Sequence, residues 1–195
     1  MTVRRIVSIY LLLFALSALA DLGSTLLGHA AGAVEFNPAV GGGGQIDVAR
    51  FAALNLVAAA LIGGMLGWGL TRRAVVDPRY MQAPLAGALT WLTYLNPFSD
   101  RNAPRAVFHW VAIAISLLLV RLAAVLNNLL ITSGLPDAIT PLARLAALQP
   151  SEALVYPLAA TAFIAPFWVI SLYLVPRLLA LPDRRGAAIE AARPT

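Results

Sequence analysis

Four apolar runs, each long enough to cross a lipid bilayer, constrain this chain more than any other feature. The hydrocarbon layer is about 30 Å thick, and a helix needs about 20 apolar residues to span it. Runs of that length cover 6–28, 48–70, 107–131 and 152–176. In lipid a spanning segment must satisfy its own backbone N–H and C=O groups, which favours helix for such runs. The expected fold class is therefore all-α: a polytopic membrane protein built as a four-transmembrane-helix bundle. It forms one domain over 1–182, followed by a short polar tail over 183–195. Composition agrees, because only 12% of the 195 residues are charged and 60% are hydrophobic. A soluble domain carries about twice that charge.

Local signals mark the ends of these spans. Arg4 and Arg5 precede the first. A secretory signal peptide is the competing reading of this end, with Ala18-Leu19-Ala20 before Asp21 as its cleavage site. The apolar character continues past Asp21, so the segment reads as a retained span. Asn37-Pro38 stops the region, Gly41 to Gly44 read as a flexible hinge, and Asp47 is placed to cap the second span. Asn55, Ala59, Gly63 and Gly67 recur every fourth residue along that span. This stripe predicts close packing on another helix of the same chain.

Between the second and third spans, 83–98 is apolar but short, with Pro84 and Pro97 near its ends and Arg79 and Arg101 flanking it. That length predicts an interfacial or re-entrant segment. Gly134 and Pro136 close the third span, and Thr140-Pro141 opens a short surface helix over 141–148 on the periplasmic side. Ser151 is placed to cap the fourth span, and Pro166 predicts a kink within it.

All fourteen basic residues are Arg. Eleven lie at the N-terminus, in the connector from Arg72 to Arg105 and in the stretch from Arg177 onward, while the other two loops hold Arg50 and Arg144. The positive-inside rule then places both termini and the long connector in the cytoplasm of a bacterial inner membrane. Arg residues at the ends of apolar runs are a topology signal, so nucleic acid is not an expected partner. The bilayer is, together with other membrane subunits or a second copy of the chain.

The polar residues inside this frame form the candidate site. Asp21 and Arg121 sit fifteen and fourteen residues into two spans that run in the same direction. Counting residues puts them at similar height, in the outer half. Asn55 and Asn128 fall near the same depth, and Ser17, Asp21, Ser24, Thr25 and Gly28 share one helix face. An isolated charge in hydrocarbon is costly, so Asp21 and Arg121 should pair or face water. Glu35 and Asn37 would lie at the rim. His29 reads as a wet interfacial residue and His109 as an interface anchor at the other end.

The chain has no Cys, which removes thiolate metal sites, disulfides and Cys nucleophiles. Asp21, His29 and Glu35 lack the tight spacing of metal ligands, and no nucleotide-binding or nucleophile motif is present. No catalytic residue, metal or cofactor is expected.

Asp21-x3-Thr25 followed by Gly32-x2-Glu35-x-Asn37-Pro38 resembles a signature of a family of small bacterial integral-membrane proteins. In that family an Asp and a Thr in the first helix precede a Gly-x2-Glu-x-Asn-Pro turn, and an Asn late in a later span, here Asn127 or Asn128, also fits. The resemblance covers the first fifth of the chain. It implies a membrane protein and marks Asp21, Thr25, Glu35 and Asn37, with no activity attached.

Three functions follow as expectations. The first is a non-enzymatic accessory or assembly subunit of a larger membrane complex. The second is a small transporter or channel-like protein using Asp21 and Arg121. The third is an intramembrane enzyme acting on a lipid or quinone through Asp21, Glu35 and His29.

Overall fold

The computed structural model describes residues 1–32, 41–42, 45–85, 103–146, 148 and 154–181. Four long helices dominate it: α1 (Val3–Ala30), α2 (Val48–Thr71), α4 (Ala103–Thr132) and α6 (Val155–Leu179). Each is long and apolar enough to cross a membrane. Also described are the short helices α3 (Pro78–Gln82) and α5 (Ile139–Ala146) and a 3-10 turn at Arg73–Val75. The chain is thus an all-α, multi-pass membrane protein. Glu35, Asn37, Ser151, most of 83–98 and the 183–195 tail lie outside the described residues.

The helix ends follow from local chemistry. Asp47 caps α2, its carboxylate accepting the Arg50 N–H at 2.8 Å. Asp77 does the same for α3, accepting the Arg79 N–H at 2.8 Å with Pro78 in the first turn. The C-terminus of α4 closes in a Schellman turn. Leu135 N–H donates to the Leu130 carbonyl, Gly134 N–H to that of Ile131, and Gly134 takes a φ of +67°. Gly32, the glycine of the N-terminal signature, ends α1 with a φ of +90° and donates to the His29 carbonyl.

Two local readings change. Gly41–Gly42, read as part of a hinge, pairs antiparallel with Gln45–Ile46. Glycine adopts extended and left-handed backbone with equal ease, so a Gly run does not by itself distinguish hinge from hairpin. The surface helix α5 begins at Ile139, two residues before Pro141. Its first turn is satisfied by Asp137 and Asn127, not by Thr140. Pro166 deprives the Ala162 carbonyl of its usual donor, yet α6 continues through it to Leu179.

Contacts divide the chain into two units. The first comprises Met1–Leu12, Leu61–Ser116 and Trp168–Thr195. Its core is mainly apolar, with Leu66, Leu70, Val107, Phe108, Val111, Leu172 and Val175 fully buried, and it also encloses His109, Ser116 and Ser171. Gly63 and Gly67 of the α2 stripe pack there. A Cβ on Gly63 would lie 2.9 Å from Leu11, and one on Gly67 would lie 3.6 Å from Val7, both on α1. Tyr10 donates its hydroxyl to the Ala114 carbonyl at 2.9 Å. The Met1 ammonium donates to the Leu181 carbonyl at 3.1 Å, so the start of α1 and the end of α6 meet.

The second unit comprises Leu13–Ala60 and Leu117–Phe167. Its buried side chains are fewer, so the three polar ones make up a larger share: Phe14, Ser17, Ala18, Ser24, Asn127 and Ala159. Its large apolar residues turn outward, with Leu19 67% and Leu56 73% exposed. In water such a surface would be a liability, but against lipid tails it costs nothing.

Candidate functional site: a polar seam between α1 and α4

The seam lies within the second unit and is centred on Asn128. Its amide donates to Ser24 Oγ at 3.2 Å and to Thr25 Oγ1 at 3.0 Å, joining α4 to α1. Ser24 passes its own proton to the Asp21 carbonyl at 2.9 Å, and Thr132 donates to the Asn128 carbonyl at 2.8 Å. Side-chain bonds of this kind are worth about 0.6–2 kcal/mol each between membrane helices. Ser17, on the same face of α1, is buried and donates to the Phe14 carbonyl at 2.8 Å.

About two turns of α4 lower, the Arg121 guanidinium lies over the Phe14 ring, 4.3 Å from its centroid. Phe14 is 2% exposed, so this cation–π contact is largely desolvated. With Asn128 opposite Ser24 and Thr25, Arg121 lies level with Ser17. That is four residues, or about 6 Å, below Asp21. Counting along the sequence puts the two charges at equal height because it assumes spans that start flush. The hydrogen bonds instead offset α4 from α1 by about one turn. Asp21 and Arg121 each take part in an interaction. Elsewhere, an ion pair joins Asp77 to Arg79 at 3.8 Å.

Asn127, next to the centre of the seam, points elsewhere. Its carbonyl oxygen accepts the backbone N–H groups of Ala138 at 2.8 Å and Ile139 at 3.3 Å, fixing the start of α5 to α4. Asn127 is 3% exposed, and its amide nitrogen has no hydrogen-bond partner. Asn55, another residue marked in the sequence, turns back on its own helix and donates to the Phe51 carbonyl at 2.8 Å. Its carbonyl oxygen is buried without a hydrogen-bond partner.

The structure therefore brings Thr25 and Asn128 into contact and sets Asp21 and Arg121 on the same two helices nearby. It adds Ser24, Phe14 and Asn127. The Asn127-Asn128 dipeptide is the sequence signal for the last of these: two adjacent amides deep in an apolar run face two different elements. His29 is exposed on the last turn of α1. His109 is buried in the first unit, edge-on to Phe108 and stacked on Trp168 at 6.3 Å, where the sequence suggested an interface anchor. Among the described residues no group of three or more His, Asp or Glu could hold a metal ion.

Comparison with protein-family models, curated proteins and solved structures finds no match in any of the three.

Proposed function

We propose that the protein is a non-enzymatic accessory or assembly subunit of a larger membrane complex. We place it in the inner membrane of a bacterium with both termini in the cytoplasm. The observation that carries this reading is how Asn128 is used. It engages the hydroxyls of Ser24 and Thr25 together, and Ser24 spends its proton on its own helix. The hydroxyls best placed in the bilayer to act as nucleophile or ligand are thus committed to holding helices together. The Arg distribution supports the orientation. The test is purification of the tagged chain from its native membranes in mild detergent after brief cross-linking. A fixed set of integral-membrane proteins should co-purify at constant stoichiometry. Recovery of a lone, uncross-linked protomer would overturn the reading.

A second reading, a small transporter or channel-like protein, is supported by two opposite charges about a turn apart, Asp21 and Arg121, each partly accessible. It requires that Asp21→Asn leave folding nearly intact while abolishing ion or solute flux in proteoliposomes. Absence of any flux by the unaltered protein removes it.

A further inference from the structure

The depth at which α5 starts is set by Asn127. The apolar part of α4, Ala106–Thr132, has 27 residues. At 1.5 Å per residue it is about 40 Å long. That matches a bilayer counted with its headgroups, about 40–45 Å, so the end of α4 falls in the headgroup layer. Asn127 is five residues, about 7.5 Å, short of that end. Because its carbonyl oxygen holds the Ala138 and Ile139 N–H groups, α5 begins at the boundary between headgroups and acyl chains. An in-plane amphipathic helix rests at about that depth.

The residues of α5 suit the place. Leu142 and Leu145 share one face, and Thr140 and Arg144 share another. Leu145 is 62% exposed, Leu148 beyond the helix is 78% exposed, and Leu135 before it is 54% exposed. The chain's other elements leave these leucines uncovered. Arg144 is exposed, and an arginine beside a lipid surface meets phosphate, which its planar fork fits in bidentate fashion.

We propose that α5 is seated in the membrane interface, with Leu145 and Leu148 among acyl chains and Arg144 on a lipid phosphate. The occupant of this exposed face is therefore the bilayer itself. The chain lacks cysteine, so single spin labels report without background. The full chain is placed in liposomes of phosphatidylcholine and phosphatidylglycerol, labelled singly after Leu145→Cys or Thr140→Cys. Collision rates with oxygen and with a water-soluble nickel chelate are then compared. At Leu145 oxygen should dominate, and at Thr140 the chelate. Dominance of the chelate at both sites would place α5 in water. Protection from both reagents at Leu145 would mean that protein covers it. Either outcome overturns the proposal. The immersion depth at Leu145 should increase with the phosphatidylglycerol fraction, and Arg144→Gln should abolish that dependence. Equal dependence in both forms would remove Arg144 from the lipid contact.

Discussion

Adjacent amides divide the work at Asn127 and Asn128. Asn128→Leu removes both bonds to α1 and is expected to cost about 1–4 kcal/mol, about 0.6–2 for each bond. Asn127→Leu strands two backbone N–H groups at the start of α5, with an expected cost of about 1–3 kcal/mol. The two side chains share no partner, so the double change should come close to the sum of the single changes although the residues are adjacent. Unfolding in detergent and denaturant measures all three, and strong non-additivity would show that the seam and the α5 junction are one network. Phe14→Leu keeps an apolar filler but removes the ring beneath Arg121, for an expected loss of about 0.5–2 kcal/mol. At this scale the sequence was partly legible. Thr25 and Asn128 stand out because polar groups in an apolar run need partners. Phe14 does not, since an aromatic in a span looks like any other apolar residue. Nor does the task of Asn127, whose backbone N–H donors lie eleven and twelve residues further along the chain.

The elements divide in the same way. Hydrophobic length alone finds the four spans, since bilayer thickness is an external ruler. The hairpin at Gly41–Gly42 and the start of α5 were less legible, because Gly runs fit several conformations and Thr140-Pro141 is a strong local signal that a tertiary cap overrides. Gly69 tests how tightly these elements pack. A Cβ there would meet Val111 Cγ2 at 2.9 Å, and Val111 is fully buried and β-branched, so it cannot turn away. Gly69→Ala should therefore cost about 1–3 kcal/mol. Gly63→Ala meets the end of the partly exposed, flexible Leu11 and should cost clearly less, a ranking that thermal unfolding checks. Asp137 gives α5 a pH dependence. Burial pulls its pKa upward, but hydrogen bonds from the Thr140 backbone and hydroxyl and the Ile139 backbone outweigh this and hold it below the ordinary value. A lowered folded pKa means the contribution is complete above the unfolded carboxylate value of about 3.9 and disappears as pH falls through the folded value. Amide exchange in α5 should therefore quicken, relative to α4, only in strong acid, and Asp137→Asn should flatten that response.

For the whole molecule, the contact of the Met1 ammonium with the Leu181 carbonyl brings both ends of the four-helix path together. An even number of crossings is the arrangement this requires. In the proposed orientation, a Cys at Thr2 should be closed to a membrane-impermeant maleimide in intact cells, and one at Gly42 open to it. Labelling at both positions would rule out the arrangement. The seam has a further consequence in time. Ser24 and Thr25 meet Asn128 across 104 and 103 residues of sequence. A ribosome adds about 5–20 residues per second, so the partner arrives about 5–20 s after the first helix has been made. Through that interval the polar half of α1 must be sheltered by its own carbonyls, by water or by the insertion machinery. Biogenesis, more than the finished fold, is then the stage at which slowed synthesis or a missing insertase would be felt first.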